Sequence, residues 1–224
     1  MGEAAHIRFD TIPSFLGASV GDLEDLVPGQ VAMAGYFCDN LDRPAAGQRY
    51  IARQLRYASR PRKPPENAID LGDVNVFPLE PNKHFSAVIA QCEAVLETGA
   101  RMVLVGGDSS GLKALGSAAK NATGTDVPVI PVAGENAGDL PHTQPVILSV
   151  DLQQLAANWV SKPRCLTGLS PEQMIARIDA TAGKIIAAAV FGLAPELDNR
   201  GRTETLAALS ILQAVTERLE RGVG

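Results

Sequence analysis

Six consecutive residues, Gly106-Gly107-Asp108-Ser109-Ser110-Gly111, set a carboxylate and two hydroxyls directly after the apolar run Met102 to Val105. Gly107 to Gly111 fits G-x-S-x-G, the spacing that exposes a serine nucleophile on a strand-to-helix turn. A Ser109 nucleophile would need a base held by an acid. His142 with Asp126 or Asp139 is the downstream candidate, since His6 and His84 lie in distant segments. Glu135, Asp139 and His142 share one loop, and with Asp151 they offer the oxygen and imidazole donors that a divalent ion takes. A polar solvent loop explains the same three residues, and that reading is preferred. Asp39, Asp70, Asp73 and Asp108 follow apolar runs; their expected role is to accept hydrogen bonds from turn amides and helix starts. Ser109 is expected to cap the helix that follows it, and Cys38 to be a buried core thiol.

These residues sit at the joints of alternating strands and helices. Met102 to Val105 reads as a buried strand closed by glycines, and Leu112 to Ala119 is apolar at helical spacing. Ligands in open α/β sheets collect outside the carboxyl ends of the strands, where this turn lies. Strands are expected at 30–36, 68–74, 127–132, 145–150 and 184–193. Helices are expected at 48–58, 85–98, 171–181 and from Thr203 onward. Ser170-Pro171-Glu172-Gln173 is a capping box with proline at the first helical position. Residues 1–29, with Pro13, Gly17, Gly21, Pro28 and Gly29, read as an arm over one domain spanning 1–224. The alternation predicts an α/β fold, three-layer α/β/α with a mainly parallel sheet.

Composition narrows the partners. The chain has 224 residues, 46% of them apolar, enough for one proper core. A net charge of −5 and a sequence pI near 5.2 argue against nucleic acid and anionic membranes. No apolar run approaches the roughly 20 residues of a membrane span, and Met1 to Asp10 lacks the pattern of a signal peptide. Cys38, Cys92 and Cys165 form no CxxC pair, which fits a reducing cytoplasm.

The order of the pieces resembles the ureohydrolase family, which includes arginase, agmatinase and formimidoylglutamase. Val31 to Asp39 stands where a GVPFD-like strand end is expected. Arg43-Pro44 and Gly47 to Arg53 are loosely similar to "RPG…GP…IR". Ile69-Asp70-Leu71-Gly72-Asp73 matches "DxGD", and Gly106-Gly107-Asp108 matches three letters of "GGDH". Ala194 to Asp198, followed by Arg202-Thr203 to Ala208, resembles the closing "P…D…T…A" segment. The resemblance covers most of residues 30–221 and implies an arginase-like fold.

It also implies what is missing. The family holds two manganese ions bridged by a hydroxide, and this needs several hard oxygen ligands and imidazoles. Here Ser109 replaces the histidine of "GGDH", and Glu135 stands in the lost "DAHxD" segment. Gln153 replaces the second aspartate of "SxDxDxxDP", and Phe191-Gly192 takes the place of the late glutamate. Asp151 is the residual ligand position. The stretch from Gly138 to Gln144 is too short for the family's substrate loop. The expectation is therefore a non-catalytic ureohydrolase-fold protein without metal or cofactor, whose vacated cleft is lined by Asp39, Asp108, Ser109, Glu135 and Asp151. It would act as a structural or regulatory subunit, a homo-oligomer or a hetero-oligomer with an active ureohydrolase. The alternative is a divergent hydrolase rebuilt on Ser109, His142 and Glu135.

Overall fold

The computed structural model describes residues 13–38, 50–59, 64–75, 77, 80–134, 141, 143–161, 163, 164, 166–193, 198 and 202–222. Its strands are β1 (Ser19–Val20), β2 (Val31–Gly35), β3 (Ala68–Asp73), β4 (Arg101–Val105), β5 (Val129–Pro131), β6 (Pro145–Asp151) and β7 (Lys184–Phe191). They form one sheet in the order β1-β3-β2-β4-β7-β6-β5, with every neighbouring pair parallel. A parallel sheet is covered on both faces, so its strands can be apolar throughout; β2 is buried along its whole length.

The helices are α1 (Ile51–Ala58), α2 (Pro81–Glu97), α3 (Ser110–Thr123), α4 (Pro171–Asp179) and α5 (Thr203–Arg221). Alternation along the strands sorts the two faces. Val31, Met33, Val103 and Val105 share a core with Ile51, Leu55, Met174, Ile178 and Leu212, on the face of α1, α4 and α5. Ala32, Ala34, Met102 and Leu104 share the other with Val88, Cys92, Leu115 and Ala118, on the face of α2 and α3. This is the expected three-layer α/β/α architecture. The α4 capping box is also formed: Ser170 Oγ accepts from Gln173 N at 3.2 Å, and Gln173 Oε1 accepts from Ser170 N at 2.9 Å. Because β3 and β4 lie on opposite sides of β2, the chain reverses its progress across the sheet there, the place where sheets of this kind gather their sites.

Two expectations change. The N-terminal segment is more than a covering arm, since Ser19 and Val20 pair with Ile69 and Asp70 as an added edge strand. Phe15 and Leu16 ahead of them are buried in the core. Apolar positions from Leu206 to Leu219, more than one buried face requires, point in the sequence to an oligomer interface, but within this chain they are not surplus. Leu209, Ile211, Leu212, Val215 and Leu219 are all buried within this chain, and of the large apolar side chains Leu206 is left exposed. The reason is that α5 packs against α1, α4, β2 and β7 together, so more than one of its sides is core. An oligomer no longer follows from that helix.

Candidate strand-end site

The turn after β4 is shaped by a tyrosine. Gly106 and Gly107 have φ of +104° and +62°, a region that side chains resist. A Cβ on Gly107 would lie 2.5 Å from the Tyr36 ring, and one on Gly111 would lie 2.8 Å from it. The glycines of G-x-S-x-G are thus needed for the close approach of Tyr36, at the end of β2, whatever Ser109 does. Asp108, 8% exposed, bends back over the turn. Its Oδ1 accepts from Ser110 N at 2.8 Å and also meets the Ser110 hydroxyl. Ser110 Oγ in turn bonds the Tyr36 hydroxyl at 2.7 Å. Burial pushes the Tyr36 hydroxyl far above its ordinary range, although the Ser110 bond pulls the other way.

Ser109 occupies the cap position of α3 but is exposed and makes no capping bond with its side chain. The expected role passes to Asp108, whose shorter path to Ser110 N closes an Asx turn first. The role expected of Asp108, an acceptor for turn and helix-start amides, is the one it has. Its Oδ2 has no hydrogen-bond partner among the described residues. His84 stacks on Tyr36 with ring centroids 5.7 Å apart and turns Nδ1 to the Asn75 carbonyl at 3.1 Å.

Asp151 stands at the carboxyl end of β6. Since β7 lies between β4 and β6, it is separated from the Asp108 turn by about 10 Å of sheet. Asp151 Oδ1 accepts from Gln153 N at 3.0 Å, and Arg164 Nε lies 2.6 Å from Oδ2. Burial raises the Asp151 carboxyl above its usual range, against the opposing pull of Arg164. Gly192, just after β7, has φ +91°, and a Cβ there would come within 2.5 Å of Asp151 Oδ1. The position of the expected late glutamate is therefore filled by the aspartate's own approach. Asp39, Glu135, Asp139 and His142 lie outside the described residues.

A pair of divalent ions would need several free oxygen or imidazole donors converging on one point. Among the described residues no group of three His, Cys, Asp or Glu side chains does so. Asp151 already faces a guanidinium and Asp108 commits one oxygen to its turn, so the described donors by themselves fall short of a binuclear manganese set.

The "DxGD" pair serves the fold. Asp70, 1% exposed, accepts from Arg56 Nε at 2.8 Å, Arg56 Nη2 at 2.9 Å, Phe15 N at 2.8 Å and Gly72 N at 2.9 Å. Arg56 also meets Asp73, donates to Gly72 O at 2.6 Å, and lies over the Phe15 ring at 4.1 Å. From the sequence, no role falls to Arg56, Arg164, Tyr36 or Ser110, and His84 is set aside as distant. The signal for Arg56 was available: a charged residue one turn from Ala52, on the apolar side of a short helix, requires a buried partner.

No family profile matches the chain, and no curated protein matches it in sequence. Solved structures do. A hypothetical agmatinase from Burkholderia thailandensis is 17% identical with a TM-score of 0.76, covering 95% of this chain and 92% of that one. Proclavaminate amidino hydrolase from Streptomyces clavuligerus is 15% identical with a TM-score of 0.75, covering 95% and 98%. A triple mutant of a T. brucei arginase-like protein, in which two serines become aspartates and an arginine becomes histidine, is bound with Mn²⁺. It is 17% identical with a TM-score of 0.64, covering 93% and 96%. The fold is arginase-like.

Proposed function

We propose, from the ureohydrolase fold and the donors it presents, that this chain is a non-catalytic member of that fold serving as a structural or regulatory subunit. The observation that carries the reading is the pairing of Asp151 with Arg164 at 2.6 Å. A guanidinium against the residual ligand carboxylate puts positive charge where a divalent ion would have to come, and the two repel at close range. The Mn²⁺-bound T. brucei arginase-like protein carries aspartates and a histidine in place of serines and an arginine. This chain has Ser109 just after β4 and Arg164 against Asp151 at the end of β6. Its partner would be a second copy or an active ureohydrolase. Unbridged Cys38 and Cys92 fit a reducing, cytoplasmic setting, and among the described residues no helix is long and apolar enough to cross a membrane.

The serine-type alternative keeps one supporting observation, the exposure of Ser109. Two measurements divide the readings. The subunit reading expects no hydrolysis of arginine, agmatine or other guanidino compounds with added Mn²⁺, and a mass of at least two chains or a recovered ureohydrolase partner. Release of urea, or a single 23.5 kDa species at micromolar concentration with no partner, contradicts it. Labelling of Ser109 by a fluorophosphonate, lost in His142→Ala, would establish the serine hydrolase instead.

A further inference from the structure

An opening lies on the far side of β2 from the Asp108 turn. It is a cavity of about 360 Å³ at the carboxyl end of β3, walled by α1 and by the arm. That volume is within the range of small-molecule sites. Its walls include Pro13, Val20, Phe37 and Tyr57, and its polar groups include Arg53 and Asp73. Val20 and Tyr57 are 54% and 52% exposed, so apolar surface at the mouth remains wet.

The charges in this cavity are arranged in a particular way. Its floor is the Arg56 clamp, in which one guanidinium serves two carboxylates, Asp70 and Asp73. Asp70 is fully enclosed, but the Asp73 side chain is 39% exposed and holds only a share of Arg56. Arg53 projects one turn earlier on α1, its guanidinium 5.8 Å from the centre of the Tyr57 ring. No carboxylate pairs with Arg53 among the described residues. Among the described residues two guanidinium groups and two carboxylates balance, yet the ends left open are a cation at Arg53 and an anion at Asp73. A simple anion would meet Arg53 but suffer Asp73, and a simple cation would suffer Arg53. A ligand with both charges satisfies both ends, and an apolar side chain would cover Phe37, Val20 and Tyr57.

We propose that this cavity binds a free α-amino acid with an apolar side chain, its carboxylate on Arg53 and its ammonium on Asp73. The proposal goes beyond the subunit reading and does not depend on it, since none of its residues belongs to the Asp108–Asp151 site.

The test uses the full chain with L-phenylalanine and L-leucine in calorimetry and thermal-shift titrations. Two analogues accompany them, 3-phenylpropanoate lacking the amine and phenethylamine lacking the carboxylate. Saturable binding of at least one amino acid is expected, with each analogue weaker by about tenfold or more, the factor for losing one charge-assisted hydrogen bond. Arg53→Gln should keep the melting temperature of the free protein, since Arg53 is exposed, and should erase the preference of the site for phenylalanine over phenethylamine. Tyr57→Ala should weaken phenylalanine more than leucine. Absence of saturable binding by both amino acids overturns the proposal. So does equal binding of either analogue, or binding that Arg53→Gln leaves unchanged.

Discussion

Two carboxylates stand on opposite halves of the sheet, Asp70 within β3 and Asp151 at the end of β6, and each meets an arginine. Asp70 receives four donors from three chain segments, and its arginine side chain is 11% exposed. Asp151 receives one side-chain donor and one amide, and its arginine is 54% exposed. The first pair locks the arm, α1 and β3 together. The second closes off a carboxylate that burial leaves short of compensation. Pairing alone therefore says little; the number of donors and their enclosure decide whether an ion pair holds a fold or only neutralises a leftover charge.

Removing each arginine sharpens the contrast. Arg56→Ala should cost about 3–5 kcal/mol in urea unfolding, because it strands two carboxylates and frees Phe15. Arg164→Ala should cost about 1 kcal/mol or less, the scale of an exposed pair. Equal losses would mean that the strand-end pair of β6 is as structural as that of β3.

Acidity separates them next. The folded-state pKa of Asp151 is raised, so its ionised form is disfavoured by folding. The stability it contributes is complete below the unfolded aspartate pKa and is lost as pH rises through the folded value. Asp151→Asn should therefore gain on the native protein in urea midpoint as pH rises from the acid range to neutrality. A constant difference across that range would contradict the burial of an under-compensated carboxylate.

The β4 turn separates its two hydroxyls in the same way. Ser110→Ala should cost about 1–2 kcal/mol through its lost bonds to Asp108 and Tyr36. Ser109→Ala should stay within about 0.5 kcal/mol, as for an exposed residue without partners. The reverse order would restore Ser109 as the cap.

Much of the scaffold was legible because its signals are periodic or local. Lys184 to Phe191 is an apolar run that could only be an interior strand, and Ser170 to Gln173 specifies its own helix start. The edge strand Ser19–Val20 was not legible, since two residues among glycines and prolines carry no period. Ser109 and Asp108 are both good caps by type, and only the backbone path shows which one reaches Ser110 N. The pairs Arg56–Asp70 and Arg164–Asp151 join segments 14 and 13 residues apart across turns, where no spacing rule applies. The departure of Ser109, Gln153 and Gly192 from the ligand types of the motifs they resemble could be read from sequence, but the arginine that faces Asp151 could not.

On the proposed subunit reading, the strand ends offer no metal site. Protein purified without chelator, dialysed against Mn²⁺ and analysed for bound metal, tests it most directly. Well under one ion per chain is expected, with a melting temperature that Mn²⁺ leaves unchanged, since stabilisation requires binding to the native state. About two ions per chain, with a rise in melting temperature, would contradict it.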